Sequence, residues 1–305
     1  MPRVLAIVGP TATGKSDLGM RVASAVDGEI VNADALQVYR GLDIGTAKPG
    51  PEERRAIPHH LLDVVEPGER FSAGDFALLA RRAIAEIGGR GRPAVVVGGS
   101  GFYLRALFRG LSPLPTADPV LRRELRRRAV EEGPGVLHRE LAALDPAAAE
   151  RLPVADVQRV VRALEVVRVS GRTLSEWHAE RPSEPPVSAT WVGLTLPRAI
   201  LYDRIAVRVA RMLDAGWVDE VRQLLGAGLA PEAPAFQAIG YREIVRYVRG
   251  EWDLERAVAE TVRATRRFAK RQLTWFRNEP QVRWFDPRQL SDGISGVLDL
   301  MRSAT

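Results

Sequence analysis

The sequence predicts an α/β fold, a parallel sheet flanked by helices, interrupted by an inserted all-helical domain. Three observations predict it. Short β-branched runs alternate with longer helix-compatible stretches through the first hundred residues, a glycine-rich turn joins the first such run to the first helix, and proline-rich segments bracket a block with helical patterning only. The chain of 305 residues is long enough for two domains. The boundaries predicted are 1–110 with 188–305 for the α/β core and 111–187 for the insert.

The core strands are Val4 to Val8, Glu29 to Asn32 and Ala94 to Val97, each followed by a turn-rich segment and then a helical pattern. A fourth strand, Thr190 to Leu196, follows the insert. The insert opens at Leu111-Ser112-Pro113-Leu114-Pro115 and closes at Arg181-Pro182-Ser183-Glu184-Pro185-Pro186. Inside it Val157, Val160, Val161, Leu164 and Val167 fall at i, i+3, i+4, i+7 and i+10, one buried stripe of a helix. Two long helical patterns end the chain, Arg198 to Leu225 and Leu254 to Arg277. There is no internal repeat and no low-complexity tract.

Cysteine is absent, which excludes disulfides, thiolate zinc sites, iron-sulfur clusters and a cysteine nucleophile together. The four histidines, His59, His60, His138 and His178, lack metal-ligand spacing and read as structural. The apolar run at the N-terminus is too short to span a bilayer and lacks the features of a signal peptide, so a cytoplasmic protein with no membrane association is expected. Lys+Arg number 44 against 38 Asp+Glu, a formal charge of +6 that favours an anionic partner. Only Lys15, Lys48 and Lys270 are lysines, so each is a candidate for a site that needs a compact ammonium rather than a guanidinium. For Lys48 chance is an equal explanation.

Gly9-Pro10-Thr11-Ala12-Thr13-Gly14-Lys15-Ser16 fills every fixed position of the pattern G-x-x-x-x-G-K-[ST], between a predicted strand and a predicted helix. Backbone N–H groups of such a loop cradle phosphate, Lys15 adds a point charge, and Ser16 is placed to hold Mg²⁺. The core is therefore P-loop NTPase-like. Kinases, ATPases and GTPases share the cradle, but nucleotide hydrolases usually carry a carboxylate after a second apolar strand, and Val95-Val96-Val97 runs instead into Gly98-Gly99-Ser100-Gly101. Asp34 is the acidic group left near the cradle. In an open parallel sheet the loops after all strands share one edge, which brings Asp34 within reach of the bound phosphate. Position alone leaves two readings open, a functional carboxylate and the N-cap of a following helix.

With Asn32-Ala33-Asp34-Ala35-Leu36-Gln37-Val38-Tyr39 and Asp43-Ile44-Gly45-Thr46-Ala47-Lys48-Pro49, the phosphate loop resembles the tRNA dimethylallyltransferase family. Ile57-Pro58-His59-His60, Gly98 to Tyr103, Asp156-Val157-Gln158-Arg159, Ile239-Gly240-Tyr241-Arg242-Glu243 and Ala269 to Arg277 continue the likeness in family order over nearly the whole chain. Ala35, Ser100 and Phe102 depart from residues common in the family.

The resemblance implies transfer of a dimethylallyl group from dimethylallyl diphosphate to the exocyclic N6 of the adenine adjoining the anticodon of tRNA, with Mg²⁺. On that reading the loop grips the diphosphate, Asp34 is the catalytic base, and Thr11 and Arg208 serve the leaving group, Arg204 and Arg211 being the neighbouring choices. Asp34, Ala35, Leu36, Gln37, Ser100, Arg122 and the run Gln158-Arg159-Val160-Val161-Arg162 are the tRNA contacts it implies. Spacing adds a basic stripe on the last long helix, where Arg263, Arg267, Lys270, Thr274 and Arg277 recur on one face suited to the phosphates of an anticodon stem-loop. A monomer is expected. The competing readings are a P-loop kinase acting on a small molecule or nucleotide, and a non-catalytic RNA-binding protein that uses the loop as a nucleotide sensor.

Overall fold

The structure is a computed structural model that describes residues 3–180, 187–290 and 293–303. Six parallel strands form one sheet in the order β3-β2-β4-β1-β5-β6: β1 (Val4–Val8), β2 (Glu29–Asn32), β3 (His59–His60), β4 (Ala94–Val97), β5 (Thr190–Leu194) and β6 (Val282–Phe285). The three predicted N-terminal strands have the predicted bounds. They are buried along their whole length, as strands covered on both faces must be, which is why they read as continuous apolar runs. β5 stops two residues short of the predicted end, although Thr195 N–H still donates to Phe285 O at 3.0 Å. Strands β3 and β6, at the two edges, were not predicted.

The chain divides into two compact units, Met1–Phe108 with Val187–Thr305, and Arg109–Pro186. In the first, α1 (Lys15–Ala25), α2 (Pro51–Ala56), α3 (Ala73–Gly89) and α4 (Gly101–Arg109) alternate with the strands. The second consists of α5 (Pro119–Glu131), α6 (Pro134–Leu144), α7 (Pro146–Arg151), α8 (Val157–Ser170) and α9 (Leu174–Ala179). Leu125, Leu137, Leu141, Val160, Val161 and Leu164 make its core. Asp118, Asp145, Asp156 and Thr173 cap its helices by accepting backbone N–H bonds. The opening linker has no regular structure, and the closing proline-rich linker at 181–186 lies outside the described residues.

The first unit resumes with α10 (Arg198–Asp214), α11 (Trp217–Gly226), α12 (Tyr241–Val248), α13 (Leu254–Arg277) and α14 (Ser295–Ser303). The single helix predicted over Arg198 to Leu225 is two. Gly216 takes φ 95°, a left-handed conformation that stops the first helix and turns the chain into the second. The buried indole of Trp217 then anchors the new helix in the core built by Phe236, Tyr241 and Ile244. No helix among the described residues is long and apolar enough to cross a membrane.

Candidate active site

The loop between β1 and α1 is shaped by its backbone. Gly9 has φ 136°, and a Cβ there would lie 2.4 Å from Leu194 O, so only glycine fits beside β5. Ala12 and Gly14 also have positive φ, at 64° and 91°, a curled backbone at the start of α1 of the kind whose N–H groups line anion-binding concavities. The Thr13 hydroxyl, fully buried, donates to Pro10 O at 2.8 Å, and Lys15 Nζ donates to the same carbonyl at 2.7 Å. Burial, and after it the charge of Arg208, pull the Lys15 ammonium down to about 7 against the opposing pull of Asp34. An anion in the concavity reverses that penalty.

Asp34 follows β2, two strands away in the sheet but on the same edge. Its Oδ1 accepts the Leu36 N–H at 2.8 Å, while its own N–H donates to Asn32 Oδ1 at 3.3 Å. Residues 35–38 form a turn, and the next helix begins only at Pro51, so Asp34 has no helix to cap. Its second carboxylate oxygen accepts no bond from the described residues. The Ser100 hydroxyl, in the loop after β4, accepts the Ala35 N–H at 3.0 Å and ties the two loops together.

Arg208 projects from α10 into the same place. Its Nη1 donates to the Thr11 hydroxyl at 3.3 Å and its Nη2 to Thr46 O at 3.1 Å. Arg204 and Arg211, one turn to either side, are exposed. Burial lowers the pKa of Arg208, and Asp34 works in the other direction. Thr11, Lys15, Ser16, Asp34, Ser100 and Arg208 all line one cavity of about 1610 Å³. Ser16 is at the head of α1, and no group of three His, Cys, Asp or Glu side chains among the described residues is arranged to hold a metal. That donor set fits a hard cation carried largely by phosphate oxygens and water, as Mg²⁺ is, and does not fit an all-protein cage.

Lys48 occupies a site that needs its ammonium. Its side chain is wholly enclosed, with Nζ donating to Tyr39 O at 2.7 Å and to Asp43 Oδ1 and Asp63 Oδ1 at 2.6 Å each. Three acceptors around one nitrogen suit an ammonium and not a planar fork.

Among the cavity residues that were not predicted are two neighbours on α13. Gln272, on α13, accepts the Thr11 N–H at Oε1, 2.8 Å, and donates from Nε2 to Gly99 O at 2.9 Å. Its one trace in the sequence is a polar residue on the helical face of Ala269 and Phe276, both buried. Arg271 lines the cavity from the preceding position.

The predicted RNA contacts separate by exposure. Arg263, Arg267 and Lys270 lie on α13, Arg263 pairing with Glu260 at 3.0 Å with its side chain 64% exposed. Asp34, Ala35, Leu36 and Ser100 are half-buried at the cavity, whereas Gln37 is buried, its amide donating to Thr46 O and Ala47 O at 3.2 Å each. In the helical unit Arg159 is exposed and Gln158 is on the same first turn of α8. Val160 and Val161 are each 1% exposed in that unit's core, so their side chains offer RNA no surface. Arg122 and Arg162 are both held by buried Glu165, at 2.6 and 2.7 Å.

Comparison with known proteins bears on the whole chain. A family model described as IPP transferase matches residues 37–279, and one described as isopentenyl transferase matches residues 2–64. The tRNA dimethylallyltransferase 1 of Trichlorobacter lovleyi is 51% identical over 284 residues, covering 93% of each chain. The tRNA dimethylallyltransferase of Geobacter sulfurreducens is 47% identical over 97% of this chain and 95% of its own. Among solved structures, the tRNA isopentenylpyrophosphate transferase of Bacillus halodurans superposes with a TM-score of 0.73 at 38% identity, covering 99% of this chain and 98% of its own. A eukaryotic dimethylallyltransferase described as acting on tRNA superposes at 0.82 with 28% identity, over 98% of this chain and 78% of its own. With the family model spanning most of its length and relatives near half identity end to end, the chain belongs to the IPP transferase family.

Proposed function

We propose that this enzyme transfers a dimethylallyl group from dimethylallyl diphosphate to N6 of the adenine adjoining the anticodon in tRNA and releases diphosphate. The observation that carries the reading is the meeting of a carboxylate, Asp34, with a phosphate cradle and two half-buried basic side chains, Lys15 and Arg208, in one cavity. An adenine amine is a weak nucleophile. As N6 attacks the allylic carbon, the C–O bond breaks and its electron pair leaves with the diphosphate, while the proton from N6 passes to Asp34. Negative charge grows on the leaving group, and the phosphate loop, Lys15 and Arg208 line the cavity to receive it, where donors act most strongly out of water. Ser16 is the side chain that would hold Mg²⁺, which supplies further positive charge against the diphosphate when bound.

The base has to leave its stack to reach the cavity, so the acceptor is an unpaired loop nucleotide. The basic face of α13 suits the phosphates of the surrounding stem-loop. The test is incubation of unmodified tRNA with dimethylallyl diphosphate and Mg²⁺, followed by mass analysis of the anticodon-loop fragment. Gain of one prenyl group on the adenine beside the anticodon is expected. An unchanged fragment, together with transfer of label from γ-labelled ATP to an acceptor, would replace this reading with that of a kinase.

A further inference from the structure

The Gln272 side chain joins the phosphate loop and the loop after β4 to the helix bearing the basic stripe. It is 6% exposed and comes from a part of the chain far from both partners. Its amide orientation is dictated by them. Thr11 N–H can only donate and Gly99 O can only accept, so Oε1 faces the first and Nε2 the second. Thr11 is thereby held twice, through its main chain by Gln272 and through its hydroxyl by Arg208.

We infer that Gln272 is a positioning residue for the transfer reaction, setting the Thr11 end of the phosphate cradle from the helix that also carries Arg263, Arg267 and Lys270. The inference rests on the function proposed above. Gln272 touches neither donor nor acceptor in this scheme. It acts through Thr11 and Gly99, and α13 is its rigid mount. The phosphate loop also rests on that mount through Ala12, which packs against the cluster of Ala269 and Ile205. A shift of about 1 Å in a group aimed at a developing charge is enough to slow a reaction on the order of 10²-fold.

Two substitutions displace the amide by different routes. Gln272→Met keeps the volume and removes both hydrogen bonds. Gly99→Ala keeps the glutamine but puts a methyl 2.2 Å from its Nε2, which pushes the flexible amide end aside, and 3.3 Å from Gly9 O, a far smaller overlap. In steady-state assays with tRNA and dimethylallyl diphosphate, each variant is expected to lose about 10- to 100-fold in kcat. KM for tRNA should stay within about threefold, because the substituted atoms are buried and the stripe itself is unaltered.

The double variant Gly99→Ala/Gln272→Ala is the decisive arm. If Gly99 acts through Gln272, the double variant loses no more than Gln272→Ala alone, since the two changes then share one partner. A kcat within about twofold of wild type in Gln272→Met, multiplicative losses in the double variant, or losses matched by the unfolded fraction at the assay temperature would each overturn the inference. Wild-type protein that prenylates no tRNA would instead overturn the proposed function, so the two failures are distinguishable.

Discussion

Arg208 reaches across from α10 to the Thr11 hydroxyl, 3.3 Å away, and uses its other terminal nitrogen on the Thr46 carbonyl at 3.1 Å. One guanidinium thus spans the phosphate loop and the segment after β2. A lysine at this position is shorter and brings one compact ammonium in place of a planar fork whose two terminal nitrogens serve separate acceptors. Arg208→Lys is expected to lower kcat about 10²-fold, the scale for one misplaced oxyanion donor. Arg204→Lys, on an exposed neighbour, should change it less than about threefold. Steady-state rates of prenyl incorporation compare the two.

Asp34 has one carboxylate oxygen engaged by its own turn and the other open to the cavity. Asp34→Asn keeps the turn acceptor and removes the base. Turnover is expected to fall by about 10²- to 10⁴-fold, the range for general base catalysis, with tRNA affinity unchanged within a few-fold. Rates near wild type in single-turnover assays would assign the proton to another group.

Lys15 sits at about 7 in the folded protein against an ordinary 10.5, so the folded state binds fewer protons between those values, and this group's contribution to stability rises with pH across that window. A diphosphate against Nζ favours the charged form. Binding should therefore take up a proton at about pH 8, and affinity should fall as pH climbs past the free-protein value. Calorimetry with inorganic diphosphate in two buffers of different ionisation enthalpy checks this, and Lys15→Arg should lack the uptake.

Lys48 tests stability apart from chemistry. Lys48→Met removes the ammonium and leaves Tyr39 O and Asp43 without their donor, although Asp63 keeps its pair with Arg54 at 2.7 Å. The loss is expected near about 3 kcal/mol, the low end for breaking a buried ion pair, because Asp43 is open to water. Urea unfolding curves measure it.

The basic stripe predicts a salt effect. Replacing Arg263 and Arg267 together by alanine should weaken tRNA binding and reduce the slope of log K against log salt by about one to two, at roughly 0.9 for each phosphate no longer neutralised. Filter binding across a salt series provides the slope.

The interior of this fold was legible in the sequence and its margins were not. Val4–Val8 and Ala94–Val97 are covered on both faces, so burial wrote an unbroken apolar run into each. His59–His60 and Val282–Phe285 border the sheet, where one neighbouring strand suffices and no such run is required. The phosphate loop was readable because its chemistry is local, eight consecutive residues in one fixed pattern. Gln272 was not, because its duty is defined by Thr11 and Gly99, which only folding brings to it. Val160 and Val161 show the conflict between two kinds of sequence evidence. Their periodicity places their side chains in a core, which packing bears out, while the family likeness places the same run against RNA.

The helical unit from Arg109 to Pro186 closes its own caps and fills its own interior, and its deepest carboxylate, Glu165, is neutralised by Arg122 and Arg162 from within. A block furnished in this way is free to drift. On the function proposed above, its outward residues, Arg159 among them, can be exchanged one at a time without touching that interior.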